Sequence, residues 1–187
     1  RLIAADDLKA VQRNRVLSHA VGGGASFARD ETRALILVRA NSLAKGFSGV
    51  RVEVIDFLLE LLHRDVLPII PQQGSLGSSG DLAPLAHLAL VCIGEGEALV
   101  GGEALSGAAA LARVGLEPLV LEAKEGLALL NGTAVMTAVG ALAVHDAEQV
   151  TASADVAGAL SLEAMEGTGE AYDARLHAAR PHPRLIE

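Results

Sequence analysis

Aromatic residues are almost missing from this chain: 187 residues include no tryptophan, one tyrosine and three phenylalanines. A core without rings must be filled by Ala, Leu and Val, which favours close-packed helices over an aromatic-rich sheet. The expected fold class is therefore all-α. Cysteine is represented by Cys92 alone. No internal disulfide can form, so a reducing cytoplasm is the expected compartment, and Cys92, lying in an apolar run, reads as a small buried hydrophobe.

Clustered positive charge is also missing. The 15 Lys and Arg are scattered among 23 Asp and Glu, for a formal net charge of −8, and this leaves no footprint for a phosphate backbone. Nucleic acid is excluded as a partner. No charged stretch followed by an apolar run opens the chain, so no secretory signal is visible. His63, His87, His145, His177 and His182 show no metal-ligand spacing, and they read as structural or surface residues rather than a metal site. The chain starts at Arg1 without an initiator methionine, and its first residues resemble the interior of a domain, so a longer parent protein is expected.

What the chain has in abundance is apolar content, 51% of residues, enough to bury the core of one domain of ordinary size. One stretch, Gly126 to Val144, has no charged residue and imitates a membrane span. Asn131-Gly132, Thr133 and Thr137 interrupt it, its other residues are mostly small, and Glu125, Asp146 and Glu148 flank it. A buried helix of a bundle is expected there, not a membrane contact.

Apolar spacing and capping residues predict the elements. Asp6-Asp7 open a first helix that carries His19 at its end and stops at Gly22-Gly23-Gly24. Asp30-Glu31 cap a second helix through Lys45, and Val52 to His63 forms a third with Val54, Phe57, Leu58, Leu61 and Leu62 on one face. Pro68 and Pro71 hold the next stretch extended. Asp81 and Pro84 suit the first turn of a helix to Ile93, and residues 98–105 read as a small hairpin turning at Gly101-Gly102. Ser106 caps a short helix to Val114, and a further helix enters Asn131-Gly132 before a long one from about Thr133 to Glu166. No internal repeat or linker divides the chain.

The Gly74-Ser75-Leu76-Gly77-Ser78-Ser79-Gly80 tract joins two strongly apolar segments, where a flexible linker makes little sense. Its glycines are better explained by an unusual backbone geometry. If the tract is held tightly, the Gly80 amide nitrogen, unhindered by a side chain, can attack the Ser78 carbonyl carbon. Loss of water closes an imidazolone, and loss of the Ser79 hydroxyl leaves an exocyclic methylene conjugated to it. The helix that follows would offer its amides and positive dipole end to the ring oxygen.

The run Gly74 to His87, with Asp81-Leu82-Ala83-Pro84-Leu85-Ala86 following the tract, resembles the prosthetic-group segment of the aromatic amino acid ammonia-lyases. In that family an Ala-Ser-Gly tripeptide becomes 4-methylidene-imidazole-5-one (MIO). Further segments fit the histidine-acting branch: Gln12 to Ala20, Arg39-Ala40-Asn41-Ser42-Leu43-Ala44-Lys45-Gly46, Ser48 to Arg51, Ile93 to Glu97, Lys124 to Thr133 and Arg180 to Pro183. The likeness runs almost from end to end. Ser78 departs from the usual Ala, though only its backbone carbonyl enters the ring, and Arg184 to Glu187 depart from the family's continuation.

The resemblance implies a long-helix bundle of the ammonia-lyase and fumarase-aspartase type, of which residues 1–187 form a single partial domain. The family's N-terminal loop with a catalytic Tyr, and its later regions supplying another Tyr, an Arg for the substrate carboxylate and a Glu, are absent from these residues. It implies non-oxidative elimination of ammonia from L-histidine to give trans-urocanate, the first step of histidine degradation. MIO would form autocatalytically from Ser78, Ser79 and Gly80, with no metal and no other cofactor. Asn131 resembles the family's active-site Asn, and the Ser18-His19 pair is the one that accompanies histidine as substrate, so both are expected catalytic and substrate-binding residues. Asp81 reads as a helix cap, and Tyr172 is not the missing base. The family's sites are shared within homotetramers, for which a mean hydropathy of +0.39 suits interface helices. A phenylalanine or tyrosine ammonia-lyase, an aminomutase, and a fragment inactive by itself stand as alternatives.

Overall fold

In the computed structural model, which describes residues 7–74 and 76–182, apolar spacing becomes helix where the sequence predicts it. Helix α1 spans Leu8–His19, and Asp7 stands at its N-cap position without making a side-chain capping bond; Asp6 lies outside the described residues. A short strand β1, Gly23–Ser26, follows. Helix α2 spans Arg29–Ala44, where Glu31 accepts the Ala28 amide at 2.7 Å, and α3 spans Val52–His63. Their buried faces repeat at helical spacing, with Leu35, Ile36, Ala40 and Leu43 from α2 and Val54, Phe57, Leu58 and Leu61 from α3. The two helices pack on one another.

Strands β2 (Val66–Pro68) and β3 (Pro71–Gln73) belong to different sheets. β1 pairs antiparallel with β3, aligning Gly23 with Gln73 and Ser26 with Pro71. The expected hairpin is present as β4 (Glu97–Val100) and β5 (Glu103–Ser106), and β2 extends it to three antiparallel strands through Val66 opposite Val100. Helix α4, Leu82–Cys92, lies between β3 and β4 in sequence and is buried on nearly every side, as its composition, apolar apart from His87, requires. Pro84 fits there because a first-turn residue needs no N–H.

Helix α5 is Gly107–Arg113, capped by the Ser106 hydroxyl, which accepts the Ala109 amide at 3.4 Å. Helix α6 is Glu125–Leu130, and after a break at residues 131–133 α7 runs from Ala134 to Ala164. By length and composition, Glu125–Ala164 is apolar enough to cross a membrane. However, Ala128, Leu129, Leu130, Ala134, Val135 and Ala138 are buried in the same core as α2, α3 and α4. The expected burial therefore holds as far as Ala138, whereas residues 139–144 are half-buried or exposed, and the single helix expected over Gly126 to Val144 is broken at residues 131–133.

The chain divides into two compact units, the first ending at Leu142 and the second beginning at Ala143. Within the second, a 3₁₀ turn at Gly169–Tyr172 leads to α8, Ala174–Ala178, whose first turn is capped by Asp173 through the Arg175 amide at 2.9 Å. Val144, Val150, Val156 and Leu160 leave a run of exposed apolar side chains on α7.

Candidate active site

Three features bring α1 to the Gly/Ser tract. α1 packs against α4 and α6, and the β1–β3 pair ties the chain just after α1 to the chain just before Gly74. A third tie is a hydrogen bond from the Gly22 amide to His87 Nε2 at 3.1 Å. To accept it His87 must be neutral with its proton on Nδ1, and burial does hold its pKa below the ordinary value. Ser18, His19 and Val21 consequently line one side of an open cavity of about 250 Å³, with Gly74, Leu76, Gly77, Leu82 and Ala83 on the other.

His19 is held in a defined tautomer. Its Nδ1 stands 2.9 Å from the Arg15 carbonyl oxygen and 3.0 Å from Ser18 Oγ, and Ser18 Oγ also lies 3.0 Å from that carbonyl. A carbonyl only accepts, so Nδ1 carries the proton and donates it. In the neutral ring Nε2 is then the free nitrogen, with a lone pair available to an N–H donor.

The tripeptide opens the next helix. Ser78 is exposed, while Ser79 and Gly80 are half-buried, and residues 77–79 form a turn. Gly80 has φ +78°, a left-handed conformation that side chains disfavour, and the missing Cβ leaves its amide nitrogen open. Asp81 follows, buried to 4% exposure, and here the expected cap is corrected in its target. Asp81 makes no side-chain cap on α4. Its Oδ2 instead accepts the Val135 and Met136 amides at 2.8 and 3.2 Å, and so caps α7. The first amides of α4 are left without a side-chain acceptor beside the tripeptide.

Asn131 lies at the C-terminal end of α6 with extended backbone, φ −101° and ψ 118°. It is exposed, so burial does not oblige its amide to find a partner. It does not line the cavity of His19, and no hydrogen bond among the described residues joins it to His19 or to Ser78, Ser79 or Gly80. Its backbone oxygen accepts Arg39 Nη2 at 2.8 Å. Two helix-fixing carboxylates therefore flank this corner, since Glu125, 1% exposed, anchors the start of α6 through Arg51 Nε at 2.8 Å. Burial pushes the Glu125 carboxyl up, but its bonds to the Arg51 side chain and to the Glu122 and Arg51 amides outweigh this and hold it below the usual range.

Sequence reasoning gave no role to Arg39 and read His87 as a structural or surface residue, and the bond it accepts from the Gly22 amide makes it structural. Arg39 was detectable, because it occupies a core position in the run Thr32, Leu35, Ile36, Arg39, Ala40, Leu43, where a charge is out of place. Cys92 is inert as read, fully buried and with its thiol pushed up to about 12 by burial. Among the described residues no group of His, Cys, Asp and Glu could hold a metal ion.

The family described as Aromatic amino acid lyase matches the chain over residues 1–187. The chain belongs to the aromatic amino acid lyase family. A histidine ammonia-lyase of Chloroflexus aurantiacus is 56% identical over 187 residues, covering 100% of this chain and 36% of that protein. One from Sorangium cellulosum is 58% identical over 181 residues, 97% of this chain and 35% of its own length. The structure of histidine ammonia-lyase from Trypanosoma cruzi superposes with a TM-score of 0.91 at 38% identity, covering 97% of this chain and 36% of that one. A tyrosine aminomutase from Streptomyces globisporus superposes at 0.87 with 44% identity, over 95% of this lyase-family chain and 34% of its own. The chain thus spans about a third of the length of the relatives it matches.

Proposed function

We propose that the complete protein is a histidine ammonia-lyase that converts L-histidine to trans-urocanate and ammonia, and that this chain carries its electrophile-forming segment. One observation carries the reading. His19, in its Nδ1-protonated tautomer, shares a cavity with residues flanking Ser78-Ser79-Gly80 on both sides. The names of the most similar relatives point to the same substrate.

The turn fits MIO. Gly80 leaves its nitrogen unobstructed, Ser78 projects into solvent, where its side chain need not resemble alanine, and α4 presents uncapped amides next to the tripeptide. When formed, the group supplies an electrophilic methylene that makes the substrate amine a better leaving group. The chain's own residues orient the reaction. His19 Nε2 accepts the substrate's imidazole N–H and thereby selects an imidazole side chain, the α4 amides stabilise negative charge arriving at their end, and Asn131 donates its amide N–H groups to the substrate carboxylate or the prosthetic-group oxygen. The β-proton goes to a base outside these residues.

We further propose that the complete protein is a cytoplasmic homotetramer, in which the exposed apolar run on α7 is covered by other copies. A second reading rests on the tyrosine aminomutase structures, which at 42–44% identity exceed the 38% of the Trypanosoma cruzi lyase. Assay of the complete protein with L-histidine, L-phenylalanine and L-tyrosine decides: urocanate supports the first reading, while cinnamate, coumarate or a β-amino acid without urocanate rejects it.

A further inference from the structure

Arg39 is 3% exposed in the middle of α2, and its Nε is the buried side-chain nitrogen or oxygen without a hydrogen-bond partner among the described residues. A buried guanidinium with an unpartnered Nε is costly, because removal from water is repaid only by good geometry. Stability alone gives little reason to keep it. What it touches is the break between α6 and α7. Nη2 donates to the Asn131 carbonyl oxygen at 2.8 Å, and Nη1 lies so close to Gly132 that a Cβ on that residue would collide with it. Thr133, the last residue of the break, and Thr137 on α7 line the same small cavity as Arg39, Asn41, Ser42 and Lys45.

The same corner is held from the other side. Asp81, the residue after the tripeptide, accepts two amides at the start of α7; burial holds the Arg39 pKa below its ordinary value, and the charge of Asp81 offsets part of that. Arg39 and Asp81 are oppositely charged side chains, both buried, one bound to the backbone at the first residue of the three-residue break and the other to backbone just beyond it.

We propose that Arg39 is a positioning residue: bound to the Asn131 carbonyl and packed on Gly132, it works with Asp81 to fix where Asn131 stands relative to Ser78-Ser79-Gly80. The proposal rests on the reading of Asn131 and the tripeptide given above. A planar fork is needed because one guanidinium group must reach a carbonyl oxygen while filling the space that Gly132 leaves; the point charge of lysine cannot do both. Gly132 is, in turn, the partner that lets the fork approach.

The test is a double-mutant cycle in the complete protein. Arg39→Lys should lower kcat about ten- to a hundredfold, the scale of an ångström-sized misplacement. Its intact mass should still be lighter by the water of ring closure and the water lost from Ser79, showing that the electrophile forms. In an Asn131→Ala background Arg39→Lys should cost nothing further in kcat, since Arg39 acts through Asn131. Additive losses would overturn the proposal and leave the site reading intact. An Asn131→Ala protein with unchanged kcat would sink the site reading and this proposal with it. Gly132→Ala, which presses on Arg39 without removing its charge, should reproduce the kcat loss and the same non-additivity; it carries the test should Arg39→Lys fail to fold, and full activity in Gly132→Ala would overturn the proposal.

Discussion

Replacing Glu125 with alanine tests whether α6 is anchored by a buried carboxylate or merely decorated by a surface ion pair. Glu125 is 1% exposed and accepts hydrogen bonds from Arg51 N at 3.1 Å, Arg51 Nε at 2.8 Å, Arg51 Nη2 at 2.8 Å and Glu122 N at 2.8 Å. The Arg51 side chain is 40% exposed and keeps the Val120 carbonyl as a partner, so its head can be rehydrated when the carboxylate is lost. The Glu122 and Arg51 amides lose their acceptor, each at about 1–3 kcal/mol if buried and unsatisfied. Breaking a buried pair costs about 3–5 kcal/mol when the survivor stays dry, and here it does not. We therefore expect Glu125→Ala to destabilise this chain by about 3 kcal/mol and Glu125→Gln by roughly half as much, because the amide oxygen keeps one acceptor. Urea denaturation followed by circular dichroism measures this directly, and the matching loss in Tm is about 6–12 °C for a chain of this size. The pH dependence gives a second check. The folded carboxyl titrates below its ordinary value, so its contribution is complete above about pH 4.5 and is lost as pH falls through the folded pKa. The gap between wild type and Glu125→Ala should therefore close in acid. A loss below about 1 kcal/mol at neutral pH would place the pair with ordinary surface ion pairs and refute the reasoning.

Further expectations follow from the same geometry. In the complete protein Ser79→Ala should abolish lyase turnover and the loss of mass on maturation, whereas Ser78→Ala should leave both nearly unchanged, since the Ser78 side chain is exposed; comparable losses in the two variants would reject the assigned roles. Asp81→Ala should cost about 2–4 kcal/mol by urea denaturation, because two amides of α7 lose their acceptor, and a cost of a few tenths would show that water replaces it. For His87, burial keeps the folded pKa depressed, so the unfolded chain binds more protons as pH drops below about 6.5. Stability should fall with pH until the folded pKa is passed, and His87→Gln should remove that component; identical pH profiles would argue against a neutral His87 holding Gly22. The 187-residue chain alone should form no urocanate from L-histidine, and measurable turnover would show that the base lies within it.

Much of the fold could be read from local pattern. Helix α3 falls on the expected residues, Val52 to His63, because its apolar positions repeat at the helical period. The β4–β5 hairpin follows from Gly101-Gly102, both at positive φ. Strand β1 was not legible, since Gly23–Ser26 has no alternation and pairs only with β3; the extended stretch at Pro68 and Pro71 was legible and became β2 and β3, but not its pairing. Val66–Pro68 likewise gains its identity from pairing with a hairpin some thirty residues on.

The candidate site divides in the same way. Ser78-Ser79-Gly80 as the proposed electrophile precursor is legible in the sequence alone, because the proposed chemistry requires adjacent backbone atoms and a residue without a side chain. His19, the proposed imidazole reader, is also visible in the chain, but the orientation of its ring is not: the Arg15 carbonyl takes Nδ1 once the helix forms. Asp81 shows the limit most clearly. An aspartate before an apolar run reads as the cap of the helix it precedes, yet its carboxylate is taken by amides 54 and 55 residues away. Arg39, similarly, acquires meaning only when α2 is laid against the α6–α7 break. Covalent order fixes which groups can react together, whereas the partner of a buried charge is fixed by which donors and acceptors packing leaves without water, and that is settled only in three dimensions.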